Sequence, residues 1–213
     1  GKHLGTMELA ERETLYATRF DGDYAYVVTF LRTDPLFIID LTEPKKPRLI
    51  SELIVPGWSE YIQPIGDQLF AVGVEEGRVT ASLFDISDKE NPSLAHRVFM
   101  GKQGAYSWSE ANYDEKAIGQ LPSQNLFLIP FQSWEEGGNV KKVQVLEVTD
   151  TGLVTRGEIT HRFQARRAAP DETGMRIFSI SGNELRVTDF ADRENPKPLA
   201  QMPLAWKVDR IHL

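Results

Sequence analysis

Residues 36–47 read LFIIDLTEPKKP, which is a short apolar run followed by an acid and a polar turn that ends in proline. The pattern returns as SLFDISDKENP at residues 82–92 and as LRVTDFADRENP at residues 185–196. A less regular copy, VLEVTDTG, occupies residues 145–152. The chain is therefore built from one repeated unit. The repeat predicts the architecture of the protein but does not indicate its ligand or substrate.

The spacing of the repeated acid indicates the size of the unit. The four acids are 45, 62 and 42 residues apart and are Asp40, Asp85, Glu147 and Asp189. A period in the forties with several short strands per unit is typical of a β-propeller blade. The long interval of 62 residues, between Asp85 and Glu147, requires an insertion, which we place at the glycine-rich residues 133–139, SWEEGGN.

Each unit reads as a meander of four strands joined by turn residues. In the first unit the predicted strands are residues 14–20, 24–30, 36–41 and 48–55. The Asp-Gly pair at residues 21–22 is a strong hairpin signal between two β-rich runs. No stretch has a clear 3.6-residue apolar period, so we expect little helix.

These patterns predict an all-β protein, a β-propeller of four four-stranded antiparallel blades. The four blades form either a closed ring or part of a larger propeller. We expect blades at about residues 13–57, 58–104, 105–160 and 161–203 within a repeat region of residues 13–213. Residues 1–12 contain a lone predicted strand at Leu4–Leu9, which would be the outer strand of a preceding blade or a strand that closes the ring.

Composition excludes several classes of function. The net charge of −7 argues against a nucleic-acid partner. The 213 residues contain no cysteine, which excludes disulfides and thiolate metal sites. No apolar run approaches the ~18 residues of a membrane span, so we expect no membrane insertion by this segment. No cofactor motif is recognisable, and the oligomeric state cannot be derived from these patterns.

The repeated acid has a structural explanation and a competing one. An aspartate after a buried strand accepts hydrogen bonds from N–H groups in the following turn, and we favour this role. The alternative is calcium binding in the oxygen-rich residues 85–91, DISDKEN. Calcium loops generally contain a glycine at the sharp turn, and residues 85–91 contain none. We therefore predict no metal site.

The first unit also resembles a known family. Residues 16–30, YATRFDGDYAYVVTF, together with residues 34–41, DPLFIIDL, are similar to secreted bacterial and archaeal proteins with a C-terminal β-propeller domain distantly related to WD40 repeats. The FIID core also resembles the Leu-Val-Ile-Val-Asp repeat of prokaryotic surface proteins. The resemblance covers most of residues 5–190, including ELIVPG at 52–57 and SEANYDEKA at 109–117.

The resemblance implies an extracellular or envelope-facing location and a place at the C-terminal end of a longer chain. It implies no settled activity. Where the family tends to have Tyr-Asp-His-Lys, this chain has YDEK at residues 113–116. The resemblance therefore carries over no role for a histidine there.

The first strand of each propeller blade lines the central channel, so its polar residues are candidates for ligand binding. The most charged of these predicted strands is residues 109–118, where alternation places four polar side chains on one face: Glu110, Asn112, Asp114 and Lys116. Two carboxylates and a lysine could hold a cation or act as an acid/base pair. We favour a charged wall in which the carboxylates pair with Arg166 and Arg167.

Aromatic residues form a second candidate site. Tyr106, Trp108, Tyr113 and Trp134 cluster in the third unit, and Trp134 lies in the predicted glycine-rich insertion. Aromatic side chains at blade junctions usually pack between sheets, whereas those on loops stack on sugars or peptides. Trp134 is therefore the best aromatic candidate for ligand binding.

Signatures of catalysis are largely absent, and we predict no catalytic residue. The four histidines are scattered, no Gly-x-Ser-x-Gly elbow occurs, and Gly101-Lys102 lacks the rest of a phosphate loop. The sequence favours a non-catalytic binding module on the cell surface with a protein or glycan partner. The alternative is a hydrolase or lyase that acts on a carbohydrate or another polymer through Glu110 and Asp114.

Overall fold

The structure is a computed structural model that describes residues 1–9, 13–30 and 34–204. These residues form four antiparallel sheets, each containing a meander of four strands. The predicted all-β class and the four four-stranded units are therefore confirmed. The chain divides into two compact units, residues 1–99 and residues 100–213, and each unit contains two of the sheets.

The first unit contains two sheets whose strands follow chain order. The strands of the first sheet are β1 Thr14–Asp21, β2 Tyr24–Phe30, β3 Asp34–Asp40 and β4 Arg48–Val55. The strands of the second sheet are β5 Trp58–Ile65, β6 Gln68–Glu75, β7 Arg78–Asp85 and β8 Ser93–Phe99. The β6–β7 hairpin turns through Glu76 and Gly77, both at positive φ, as a tight two-residue turn requires.

The second unit contains the third and fourth sheets. The strands of the third sheet are β9 Tyr106–Trp108, β10 Gly119–Leu121, β11 Leu126–Glu135, β12 Gly138–Thr149 and β13 Gly152–Thr160. Its meander runs from β10 to β13, and β9 pairs separately with β11. The strands of the fourth sheet are β14 Ala165–Pro170, β15 Arg176–Ser181, β16 Glu184–Asp189 and β17 Lys197–Pro203.

Helix in the described residues is limited to three 3-10 turns, which are Glu110–Asn112, Glu115–Ala117 and Pro122–Gln124. None of these is long and apolar enough to cross a membrane.

The apolar residues of neighbouring strands form the core within each unit. In the first unit, Tyr26 and Ile38 of the first sheet belong to one buried cluster with Ile62, Leu69 and Phe84 of the second. In the second unit, a corresponding cluster joins Leu128 and Val145 of the third sheet to Ile177 and Phe190 of the fourth. Burying a side chain of this size stabilises the fold by about 1.5–3 kcal/mol. The middle strands are therefore the best-anchored part of each sheet.

The amino-terminal segment corrects one prediction. Residues 1–9 contain no strand, so the strand predicted at Leu4–Leu9 is not formed. Met7 and Leu9 instead pack against the side chains of Val27 and Phe37 on one face of the first sheet. Residues 10–12, the remainder of the predicted first segment, lie outside the described residues.

The predicted insertion at residues 133–139 is also wrong. Strand β11 continues to Glu135, β12 begins at Gly138, and these two residues are paired across the hairpin. Gly137 has a φ of 99°, which suits glycine in the tight turn. The extra length of the third unit therefore lies partly in two long strands, and Trp134 lies on a strand.

The repeated aspartates have the predicted structural role. Asp85 accepts hydrogen bonds from the Ser87 N–H at 2.9 Å and the Ser87 hydroxyl at 2.7 Å. Asp40 makes the same two bonds with Thr42, and Asp189 accepts one from the Ala191 N–H at 3.0 Å. The carboxylates therefore close the turn after the third strand of their sheets. Within the described chain, no three His, Asp or Glu side chains are grouped to hold a metal ion.

Candidate functional site

The segment before β10 does not form the predicted strand at residues 109–118. Two 3-10 turns replace it, and each begins at a residue that caps its backbone N–H groups. The Ser109 hydroxyl accepts a hydrogen bond from the Ala111 N–H at 3.0 Å, and the Asp114 carboxylate accepts one from the Lys116 N–H at 2.9 Å. These short side chains compete with strand pairing for the local backbone, so the extended conformation is interrupted.

The four polar residues predicted to share a strand face are consequently separated. Asn112 is buried and Lys116 is exposed. Glu110 and Asp114 lie close to the two arginines of β14, as we expected for a charged wall. Among the predicted site residues, the structure therefore brings together Glu110, Asp114, Arg166 and Arg167, here called the arginine cluster.

The arginine cluster is held by charge-assisted hydrogen bonds. The Arg166 Nε and Nη2 atoms donate to the two oxygens of Glu110 at 3.2 and 3.3 Å. The Arg167 Nη2 atom donates to Asp114 at 2.7 Å, and its Nη1 atom lies 3.1 Å from Glu110. Each carboxylate thus accepts a hydrogen bond from at least one guanidinium. Hydrogen bonds between charged groups are stronger than those between neutral groups.

Electrostatics keep Glu110 ionised. Partial burial opposes its charge, but the hydrogen bonds and positive charges of Arg166 and Arg167 outweigh burial and lower its pKa. Hydrogen bonding to Glu110 raises the pKa of Arg166 in turn. A general acid needs a raised pKa to hold its proton near neutral pH, so this environment is the wrong one for acid catalysis by Glu110.

Aromatic rings lie along one face of the β9–β11 ladder. Tyr106 and Trp108 are two residues apart on β9, so their side chains leave the same face, and Trp134 is the cross-strand partner of Tyr106. The Tyr106 and Trp134 ring centroids are 5.4 Å apart. Tyr113, between the two 3-10 turns, stacks on Trp108 at 6.1 Å. These four residues are the aromatic strip.

The aromatic strip is largely open to solvent. Tyr113 is 72% exposed, Tyr106 55% and Trp134 42%. A cavity of about 320 Å³ lies beside Trp134 and is lined by residues 102–105 together with Glu135 and Glu136. Burying one such ring against a ligand removes a large apolar area from water, so three exposed rings around the half-buried Trp108 are unusual without a partner.

Close packing beneath the strip fixes β9 in place. Gly101 has a φ of 89°, and a side chain there would meet the Ser133 hydroxyl. The buried Ser107 hydroxyl donates to the Met100 carbonyl at 2.8 Å. These contacts set the register that places Tyr106 opposite Trp134. The aromatic cluster is visible in the sequence, but the pairing of Tyr106 with Trp134 depends on this register.

The fourth sheet contains a buried polar group that no motif in the sequence predicts. The His161 Nε2 atom lies 2.9 Å from the Ser179 hydroxyl, and its Nδ1 atom lies 2.8 Å from Glu184. The three side chains are in the order of a catalytic triad, but all three residues are buried. Burial lowers the pKa of His161 and keeps the imidazole neutral. The group therefore serves as an internal link between strands, because no substrate reaches the serine.

Comparison with known proteins agrees with this architecture. The family described as "Beta propeller domain" matches residues 2–192. The chain belongs to this beta-propeller family. A protein of Bacteroides fragilis, provisionally assigned as a 6-phosphogluconolactonase, has a similar solved structure with a TM-score of 0.58 and 13% identity. The similarity covers 90% of this chain and 55% of that one, and at this identity it shows the fold alone.

Two archaeal proteins are similar in sequence. An uncharacterized protein of Methanocaldococcus jannaschii is 33% identical over 184 residues, which is 85% of this chain. An uncharacterized protein of Archaeoglobus fulgidus is 40% identical over 119 residues, which is 55% of this chain. The matches span 27% and 19% of those proteins, so the chain corresponds to a small part of each relative. The beta-propeller family and these relatives provide no activity to transfer.

Proposed function

We propose that this beta-propeller domain is a non-catalytic binding module whose contact surface is the aromatic strip. The observation that carries the proposal is the alignment of Tyr106, Trp108, Tyr113 and Trp134, of which three are largely exposed on one face. Tyrosine and tryptophan offer a large apolar surface at a low cost in side-chain entropy, which suits recognition.

A glycan is the ligand that fits this surface best. The apolar faces of sugar rings stack on flat aromatic side chains, while their hydroxyl groups hydrogen-bond to nearby polar residues. The strip meets both requirements. Its rings offer the stacking surface, and Glu110 and Asp114 of the arginine cluster, which flank Tyr113 in the sequence, offer polar groups. A protein partner would bind more tightly to aromatic anchors that are enclosed by a ring of apolar contacts.

The charges of the arginine cluster favour binding over hydrolysis. A hydrolase or lyase would need Glu110 and Asp114 as a free acid/base pair around the scissile bond. Both carboxylates are instead bonded to arginines, and the pKa of Glu110 is lowered. The extracellular or cell-surface location belongs to the same proposal and rests on the resemblance to secreted prokaryotic proteins.

The proposal is tested by affinity electrophoresis of the chain through gels that contain neutral or acidic envelope polysaccharides. We expect retardation by at least one polysaccharide. Trp134→Ala should weaken that binding about tenfold, because loss of an aromatic anchor in a binding surface typically costs more than 1 kcal/mol.

Phe20→Ala is the matched control, because Phe20 is 72% exposed and lies in the other unit of the chain. It should bind like the wild type, and circular dichroism should show that both variants are folded. Equal binding by Trp134→Ala and the wild type, or no retardation by any polysaccharide, would contradict the proposal.

A further inference from the structure

We infer that a pocket beside Arg166 and Arg167 binds the oxyanion group, carboxylate or sulfate, of an acidic glycan. This inference rests on the proposed function and names the class of glycan. The pocket has a volume of about 370 Å³ and is lined by Arg166, Arg167, Ile180, Ser181, Gly182 and Leu204. This volume lies within the range of small-ligand sites, and the lining combines two cations with a hydroxyl group and an apolar wall.

A β-bulge brings both arginines to the pocket. Ala165 pairs with Ser181 and Arg167 pairs with Ile180, so Arg166 is the extra residue on β14. In a regular strand, consecutive side chains leave opposite faces of the sheet. The bulge breaks this alternation, and both guanidinium groups contact Glu110 and line the same pocket. Bulges commonly redirect side chains beside functional sites.

Ser181 provides a second, independent observation. It is 3% exposed, and its hydroxyl has no hydrogen-bond partner in the part of the chain that the structure describes. A buried polar group without a partner costs about 1–3 kcal/mol. Because Ser181 lines the pocket together with both arginines, a ligand oxygen beside its hydroxyl would supply the missing partner.

Both arginines have N–H donors that remain available to an anion. A guanidinium carries five N–H groups. Glu110 takes the Nε and Nη2 atoms of Arg166, whereas Arg167 uses Nη1 and Nη2 for the Arg166 carbonyl and for Asp114. The Nη1 group of Arg166 and the Nε–H of Arg167 make no hydrogen bond within the described residues. The carboxylates hold both arginine side chains in position, so binding an anion costs little side-chain entropy.

The aromatic strip explains why the anion belongs to a glycan. Tyr113 lies directly before Asp114, which bonds to Arg167, and it stacks on Trp108. A sugar chain lying on these two rings would therefore carry its acidic substituents to the arginine pocket. A free anion would lack the stacking contacts, so we expect it to bind more weakly than the oligosaccharide.

The test is calorimetric titration of the intact chain with three oligosaccharides of equal length: a polyuronate fragment, its carboxyl-reduced neutral form and a sulfated fragment. We expect at least one acidic fragment to bind about tenfold or more tightly than the neutral one, because hydrogen bonds to charged groups contribute about 1.5–3 kcal/mol. The tighter acidic fragment identifies the carboxylate or the sulfate as the source of the anion.

Ser181→Ala is the sharpest variant, because it removes a hydroxyl that bonds to nothing else in the described chain. It should weaken binding of the acidic fragment about tenfold and leave binding of the neutral fragment unchanged. The melting temperature should not fall, because the substitution removes a buried hydroxyl without a partner. Arg166→Gln should have the same selectivity, since Arg167 still holds Glu110. Thr188→Val is the matched control, because Thr188 is a buried residue of the same sheet whose hydroxyl also lacks a partner and does not line this pocket.

The outcomes separate this inference from the proposed function. Equal binding of acidic and neutral fragments, with no effect of Ser181→Ala, would overturn the anion pocket while the aromatic strip remains supported by loss of binding in Trp134→Ala. Binding of none of the fragments would overturn both. Equal effects of Ser181→Ala and Thr188→Val would also contradict the inference, because only Ser181 lines the pocket.

Discussion

The carboxylate of Asp40 shows how a single repeated residue shapes each turn. It accepts hydrogen bonds from the Thr42 N–H at 2.9 Å and the Thr42 hydroxyl at 2.6 Å, and Arg48 lies 2.9 Å from its second oxygen. Side-chain and backbone hydrogen bonds from Thr42, together with Arg48, lower the pKa of Asp40 to about 2. The ionised form is therefore the one that closes the turn.

This pKa predicts a pH dependence of stability. The ordinary value of 3.8 applies to the unfolded chain, so the unfolded state takes up a proton first as the pH falls. The stabilisation by Asp40 is complete above about pH 4 and is lost as the pH falls toward 2. The loss of stability in Asp40→Asn should be largest at pH 7 and should shrink over this range in urea unfolding experiments.

Asp150→Asn provides the control for that experiment, because Asp150 is exposed and its carboxylate makes no hydrogen bond or ion pair in the described chain. It should leave stability at pH 7 unchanged. A difference between Asp40→Asn and the wild type that stays constant from pH 7 to pH 2 would contradict the role of the ionised carboxylate.

The sequence predicted the role of the aspartates but not that of Glu147. The turn bonds of Asp40, Asp85 and Asp189 are local, two residues ahead of each acid, so the repeat itself reveals them. Glu147 has a longer side chain and binds Arg156 at 2.9 Å and Arg193 at 2.5 Å. Arg193 is distant along the chain, and only the packing of the third sheet against the fourth brings it close.

At the level of elements, strands were predictable wherever the apolar alternation and the turn residues agreed. The β2 and β4 ranges were predicted to the residue, because both are bounded by clear turn signals. The strand predicted at residues 109–118 is wrong. Its alternating polar residues resemble a strand, but the caps at Ser109 and Asp114 determine the backbone conformation. The insertion predicted at residues 133–139 is wrong because two adjacent glycines, which resemble a loop, fit a tight hairpin.

One close approach between the third and fourth sheets is testable. A Cβ atom on Gly157 would lie 2.3 Å from Pro196 Cδ and 2.9 Å from the Arg193 carbonyl oxygen, to which the Gly157 N–H donates at 2.7 Å. Gly157→Ala should therefore destabilise the chain by about 1–3 kcal/mol, as overpacked sites do. Chemical denaturation measures this loss.

Gly182→Ala is the matched control, because a Cβ atom there meets no atom within 4 Å and the glycine does not have a positive φ. It should change stability by less than about 0.5 kcal/mol, as surface substitutions usually do. Equal stabilities of the two variants would show that β13 and the turn at Pro196 are not in the close contact described.

At the level of the whole molecule, the repeat period predicted the fold class because each unit repeats the same apolar strands and turn acids. The candidate site was predicted only in part. Pairing of the carboxylates with Arg166 and Arg167 followed from charge, and the structure contains these pairs. The pocket at Ser181 could not be foreseen, because it depends on a bulge in β14 that no residue type marks.

We propose that the aromatic strip is the ligand-binding surface of this beta-propeller domain. The most direct measurement is a ¹⁵N–¹H spectrum of the four tryptophan indoles during titration with the acidic and neutral oligosaccharides. Assignments come from single Trp→Phe variants. We predict that the Trp134 and Trp108 signals shift with increasing ligand while the other two stay in place. Shifts confined to the other two indole signals, or no shift of any indole signal at high ligand concentration, would contradict binding at the aromatic strip.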